Sequence, residues 1–332
     1  MITLKPYGAD NTGQLIDAVK NARSRRENLM LVSDTYVIQD KIELTQKESF
    51  QSISMIGERS GYNHEPAFGT RFDCSAIDDG NCFEINSGRN VTLSNFAIFG
   101  NGVSNGIVID GEGTLKGSSI VFLENLSVGK LDRNIIISQS EVSQNADRVA
   151  ITDCQLGESN ICVSIGQTQS RALVITRGHI GNCLTGVSGY ADGIKKGCPP
   201  KIYGTQFDTM ERMFDVPSNT GEPMLVSGVH AERVGGIGRL GVNASSRQPV
   251  LFESCGIDLA AINAPATDDE YCLYSGTVVK FIACALGSPN RPMKVFAVSF
   301  DATAIAESVD IQKMAASPDP NYEFIGFCYP ER

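Results

Sequence analysis

Apolar and polar residues recur in a phrase of the form apolar-x-apolar-x-x-small-x-apolar. It runs Val91-Thr-Leu-Ser-Asn-Phe-Ala-Ile98, then Val121-Phe-Leu-Glu-Asn-Leu-Ser-Val128, then Val149-Ala-Ile-Thr-Asp-Cys-Gln-Leu156. With slack at single positions it continues through Leu173 to Ile180, Pro200 to Phe207, Met224 to Ala231, Val250 to Ile257 and Val279 to Leu286. The third residues are Leu93, Leu123, Ile151, Ile175, Ile202, Val226, Phe252 and Phe281, spaced 24 to 30 residues apart. Within each phrase the alternation of one strand face holds, breaks for two residues and resumes, which predicts a strand, a bend and a second strand.

Further short strands are expected between phrases, at Gly106 to Asp110, Asn134 to Ser138, Ile161 to Ile165, Met213 to Val216, Tyr271 to Tyr274 and Val295 to Phe300. Three short strands in a coil of about 27 residues, with no helix in the unit, exclude ankyrin and tetratricopeptide arrays and argue against leucine-rich repeats. A propeller blade needs longer, meandering strands. The pattern therefore predicts an all-β chain, a right-handed single-stranded parallel β-helix whose stacked coils share one core. The expected organisation is an N-terminal cap over residues 1–45 with a helix at about 14–27, the solenoid over 46–300, and a C-terminal cap or oligomerisation segment over 301–332.

The interior ladder after the bend reads Phe96, Leu126, Cys154, Gly178, Thr205, Val229, Cys255 and Cys284. Three of the ten cysteines thus share one repeat position, which marks them as small buried hydrophobes, and Cys74 and Cys82 fit the same role. No Cys-x-x-Cys pair suggests a metal site. A net charge of −10 argues against nucleic acid and anionic membranes as partners. No apolar run reaches the length of a membrane span, and the N-terminus lacks the pattern of a secretory signal, so folding in the cytosol is expected.

The start, Lys5-Pro-Tyr-Gly-Ala-Asp-Asn-Thr-Gly-Gln-Leu-Ile-Asp-Ala-Val19, followed by Leu29 to Val32 and Thr35 to Ile38, resembles the opening of the pectate-lyase-like superfamily. There a short amphipathic helix caps the first coil, and here Leu15, Ile16, Val19 and Ala22 would form its apolar face. Ser52 to Gly57 and Gly69 to Phe72 look like the next coil of the same superfamily. The chain departs from that pattern in lacking the acidic pair before the helix and in placing Ser33-Asp34 where a Gly is expected. The resemblance implies architecture. It embraces pectin- and alginate-active enzymes as well as bacteriophage tailspikes and fibres, and fold alone does not choose among them.

Coils in register place equivalent outward residues about 4.8 Å apart, so ladders become surfaces. One outward ladder reads Gln155, His179, Gln206, His230, and two positions later Asp208, Glu232 and Asp258 follow one another on consecutive coils. The three carboxylates are the catalytic candidates. Gln155, His179, Gln206, His230 and the nearby Arg233 are the substrate-binding candidates. Neighbouring carboxylates would lie roughly 5 Å apart and the outer pair ~10 Å, the two separations used by glycoside hydrolases. Crowding of like charges would raise one pKa. The same ladder is also what a solvated face of any soluble solenoid looks like.

No Arg or Lys belongs to these two ladders, which favours a hydrolase over a lyase if the chain is an enzyme at all. No phosphate loop, nucleophile elbow or zinc motif occurs, and neither a metal nor another cofactor is called for. Three readings stay open. One is a bacteriophage virion protein of tailspike or fibre type, a homotrimer by resemblance, that joins other virion proteins and binds host-surface polysaccharide, with or without cleaving it. The second is a stand-alone, secreted pectate-lyase-like hydrolase or lyase. The third is a non-catalytic structural or decoration protein of the virion.

Overall fold

The computed structural model describes residues 1–46, 50–58, 69–110, 117–138, 146–166, 172–189, 199–216, 223–241, 248–260, 273–287 and 295–305. Every strand pairing among them is parallel, and strands bond to their equivalents in the neighbouring coils. The chain is a single parallel β-solenoid with one short helix near its N-terminus.

Three faces run the length of the solenoid. The first begins at Ile2–Leu4 and Leu29–Leu31, continues through Ser119–Glu124, Asp147–Thr152, Val250–Glu253 and the middle of Leu273–Gly287, and among the described residues ends on Val295–Ile305. In the central coils the second and third faces are one bent strand: Ser127–Ile137, Gln155–Ile165, His179–Gly189, Gln206–Val216 and His230–Leu240. The short expected strands at Asn134 to Ser138, Ile161 to Ile165 and Met213 to Val216 are the far arms of these bent strands. The last strand, Val295–Ile305, extends past the expected solenoid boundary at 300; residues 306–332, where a C-terminal cap or oligomerisation segment was expected, lie outside the described residues.

The bends have a backbone cause. The fifth residue of each phrase is left-handed: Asn95, Asn125, Asp153, Arg177, Gly204, Gly228, Ser254 and Ala283 have φ between 50° and 62°. Asn, Asp and Gly tolerate this region best, and they fill most of the ladder. Side chains reinforce it from coil to coil. Asn125 Nδ2 donates to Asn95 Oδ1 at 2.8 Å, and Arg177 makes two bonds, 2.9 and 2.8 Å, to the Asp153 carboxylate. A second left-handed corner follows at Lys130, Glu158, Asn182, Thr209 and Arg233.

Inside lies one apolar cluster running from the cap to Cys284. Leu93, Leu123, Ile151, Ile175, Ile202, Val226, Phe252 and Phe281 are all buried, as the repeat requires. Aromatic rings stack through it at both ends: Phe72 packs edge-on against Phe83 and Phe96, and Phe252 lies parallel to Phe281 at 4.6 Å. Cys74, Cys82, Cys154, Cys255 and Cys284 are buried free thiols, and so are Cys162 and Cys183. Cys198, Cys272 and Cys328 lie outside the described residues.

The cap helix spans Thr12–Arg25 rather than 14–27. Asp10 Oδ1 accepts from both the Thr12 amide, at 2.9 Å, and the Thr12 hydroxyl, at 2.6 Å, which starts the helix two residues earlier. Arg26, at φ 55°, ends it. Leu15, Val19 and Ala22 are buried against the first coil with Ala18, and Ile16 is partly buried beside them. Burial of Leu15 and Val19 contributes about 1.5–3 kcal/mol each.

Two glycines report opposite constraints. Gly238 has φ 109°, and a Cβ there would stand 1.8 Å from the Phe214 carbonyl oxygen of the preceding coil. Gly13, in the helix, would meet nothing within 4 Å. Gly238→Ala is expected to destabilise the fold by about 2–5 kcal/mol, from positive-φ strain plus overpacking. Gly13→Ala is expected to stabilise it by about 0.5–1 kcal/mol. Chemical denaturation of the two variants beside the parent checks both signs.

Candidate functional site

The second face carries the candidate residues, and strand pairing sets their order. Gln155 pairs with His179, His179 with Gln206, and Gln206 with His230. Gly157 pairs with Gly181, Gly181 with Asp208, and Asp208 with Glu232. The two ladders expected from the repeat are thus in register along these coils. The third carboxylate is displaced: the pairing of His230–Leu240 with Gly256–Leu259 shifts between Ala231 and Val234. A bulge here sets Glu232 and Arg233 together opposite Asp258, so Asp258 faces Glu232 without the one-to-one pairing that joins Asp208 to Glu232. Asp258 is exposed.

The two aligned carboxylates are each held by a basic side chain. Arg233 follows Glu232 in the left-handed conformation, φ 54°, and turns back to grip Asp208 with Nε at 2.9 Å and Nη2 at 2.6 Å. The Thr209 hydroxyl donates a third bond to Asp208 at 2.9 Å. Partial burial alone would push the Asp208 carboxyl up, but Arg233, Thr209 and the His179 ring together hold it below the usual carboxylate range. The expectation that crowding would raise a pKa is therefore corrected for Asp208, whose strongest partner is a cation.

The ladders also gain a basic residue that register counting did not supply. Arg233 stands one residue beyond Glu232, and only its backbone turn brings the guanidinium onto the ladder. The Asp208 carboxylate raises the Arg233 pKa and so favours the charged guanidinium.

His230 Nε2 lies 2.6 Å from Glu232 Oε1. The side chains of His230 and Glu232 are about half exposed, whereas that of Asp208 is only 15% exposed. The His179 ring leans over Gly181: a Cβ at Gly181 would stand 3.1 Å from its Cε1. Absence of a side chain at position 181 is what lets this imidazole lie against the face. Burial lowers the His179 pKa, with the Asp208 charge opposing, so His179 is a neutral hydrogen-bonding ring at neutral pH.

The arrangement presents alternate donors and acceptors along the solenoid axis on an open surface. A cavity of about 680 Å³ exists on different coils, beside the cap helix, and shares no residue with the ladders. Among the described residues no cluster of three His, Cys, Asp or Glu could hold a metal ion, and no helix is long and apolar enough to cross a membrane.

No family model matches the chain, and no curated protein matches its sequence. Solved structures do match. The chain is similar to DFA-IIIase of Arthrobacter chlorophenolicus A6, solved in complex with GF2, at 11% identity and TM-score 0.57, over 91% of this chain and 86% of that one. It is similar to the catalytic unit of a GH87 α-1,3-glucanase of Streptomyces thermodiastaticus at 10% identity and TM-score 0.51, over 93% of this chain and 69% of that one. It also matches ORF18 of Geobacillus virus E2 at 12% identity and TM-score 0.49, over 90% of this chain and 57% of the viral one, a likeness too distant to carry weight. At such identities the shared property is the right-handed β-helix itself.

The His179 environment fixes a pH response. Its folded pKa lies below its unfolded value of about 6.5, so the unfolded chain binds the proton more readily and stability falls as pH drops below that value. His179→Gln should flatten this part of the profile. Urea midpoints at pH 7.5 and pH 5 for parent and variant measure it; an unchanged slope would mean that the ring is solvated.

Proposed function

We propose that the chain binds a polysaccharide along its second face, and that it does so as a bacteriophage virion protein of tailspike or fibre type. The observation that carries the binding reading is the in-register run of Gln155, His179, Gln206 and His230 beside the braced pairs Arg233–Asp208 and His230–Glu232. Sugar hydroxyls need fixed donors and acceptors at regular spacing, and side chains already held by partners lose little freedom on binding. An open polar strip suits an extended polymer better than a compact ligand.

The superfamily resemblance of the N-terminal segment admits a virion protein and an enzyme alike, and the virion protein is the member of that set we adopt. On this reading the chain folds in the host cytoplasm, assembles as a homotrimer, joins other virion proteins and recognises a host-surface glycan. A secreted location is the alternative.

A hydrolytic role has one observation in its favour. Asp208 and Glu232 are carboxylates paired on consecutive coils, and Asp258 offers a further exposed carboxyl. Asp208 is too firmly charged to be the acid, so Glu232 or Asp258 would have to donate the proton.

A panel of bacterial capsule, lipopolysaccharide and plant polysaccharides separates these readings, scored for binding, reducing-end release and unsaturated-product absorbance. Asp208→Asn, Glu232→Gln and Asp258→Asn are run alongside. Binding without cleavage, weakened by Asp208→Asn and Glu232→Gln, supports recognition alone. Reducing ends lost in Glu232→Gln or Asp258→Asn establish a hydrolase. Light scattering gives the oligomer: a trimer supports the virion reading, and a monomer favours the stand-alone enzyme.

A further inference from the structure

A buried carboxylate lies on the third face, far from the ladders of the second. Glu84 belongs to Asn81–Ile85 and is only 5% exposed. The strand Ile42–Thr45 of the preceding coil pairs with it, setting Glu43 opposite Glu84 and bringing Lys41 to the same place. One carboxylate oxygen, Oε1, lies 3.1 Å from Lys41 Nζ and accepts from Asn81 Nδ2 at 2.7 Å, while Oε2 accepts from Asn86 Nδ2 at 3.0 Å. Glu43 Oε1 is a more distant neighbour of the same ammonium, at 3.8 Å. From the following coil Asn105 Nδ2 donates to Asn81 Oδ1 at 3.1 Å.

The need to pair a buried carboxylate accounts for the lysine and for amide donors around it. It does not account for an amine and a carboxamide sharing one oxygen, nor for a donor on the carbonyl side of that same carboxamide. Those are the parts of an acyl transfer: an amine nucleophile, a carbonyl whose oxygen meets a hydrogen-bond donor, and a proton acceptor that reaches both the attacking and the leaving nitrogen. Burial alone would push the Glu84 carboxyl up, but its bonds from Asn81, Asn86 and Lys41 hold it below its usual range, so Glu84 is ionised and able to accept a proton. Asn86 is the less suited amide, because it sits on the other oxygen.

We propose that Lys41 and Asn81 join in a spontaneous isopeptide bond between consecutive coils. Glu84 takes a proton from the Lys41 ammonium, and the freed electron pair on Nζ attacks Asn81 Cγ, forming the new C–N bond. The charge that develops on Oδ1 is met by Asn105 Nδ2. Glu84 returns its proton to Nδ2, the Cγ–Nδ2 bond breaks, and ammonia leaves, carrying off a second Nζ proton as ammonium. Glu84 ends as the carboxylate it began, and no oxidant, reductant or cofactor is consumed. Each chain needs the step once, so an uphill first proton transfer slows maturation without preventing it. The product ties the coil beneath the cap helix covalently to the next one.

Intact-mass spectrometry of the purified full chain, fresh and after prolonged incubation, tests this. The parent is expected to lie about 17 Da below its sequence mass, the loss of one ammonia. Tryptic digestion should then give a branched peptide in which an uncut Lys41 carries Asn81. Lys41→Arg, which keeps a cation beside Glu84, and Asn81→Ala should each show the full mass of the variant sequence. Glu84→Gln should slow the ammonia loss by roughly a hundredfold or more. Where Glu84→Gln fails to fold, Lys41→Arg still decides, because it preserves the buried charge pair. A parent that keeps its full mass, an ammonia loss that persists in Lys41→Arg, a branch that ends on Asn86, or an unchanged rate in folded Glu84→Gln would each overturn the assignment.

Discussion

Each coil passes its backbone N–H and C=O groups to the coils before and after it, and nearly everything else in the molecule follows from that exchange. Satisfying these groups demands that equivalent residues stay in register, because a slip of one residue would turn the apolar set outward. The register is kept by left-handed corners that recur at the same repeat position, from Asn95 to Ala283. Where the corner residue is not Gly, Asn or Asp, another interaction can share the load, as Arg177 shows by reaching back to Asp153.

The same register that builds the core composes the surface. Gln155, His179, Gln206 and His230 are far apart in sequence, yet backbone bonding sets them side by side. Glycine shapes this surface as much as the polar residues do, since the missing side chain at Gly181 makes room for the His179 ring. Arg233 repeats on the second corner what Arg177 does on the first: a left-handed arginine turned toward an aspartate of the preceding coil. At Asp208 this geometry holds a carboxylate ionised where partial burial alone would have driven the other way.

Electrostatically the molecule is divided. The second-face segment gathers Asp208, Glu232 and Asp258 against Arg233, while the hollow under the cap helix gathers Lys20, Arg23 and Arg26. That division follows from where the helix docks, since its C-terminal turn brings the basic residues over the first coils.

The sequence by itself determined the solenoid, the identity of its inward ladders and the pairing order from Gln155 to His230, because a coil repeat exposes its inward positions directly in the apolar pattern. The first corner was also legible, as Asn95, Asn125, Asp153, Gly204 and Gly228 share one place in the phrase. The second corner was not, since Lys130, Glu158, Asn182, Thr209 and Arg233 have no common chemistry. Only the tertiary structure decided that Arg233 braces Asp208, that a bulge breaks the one-to-one pairing of Asp258 with Glu232, and that a basic hollow forms under the cap. Register is written in periodicity, whereas the direction of one side chain, the insertion of a bulge and the meeting of helix and coil depend on backbone turns and non-repeating contacts that no period encodes.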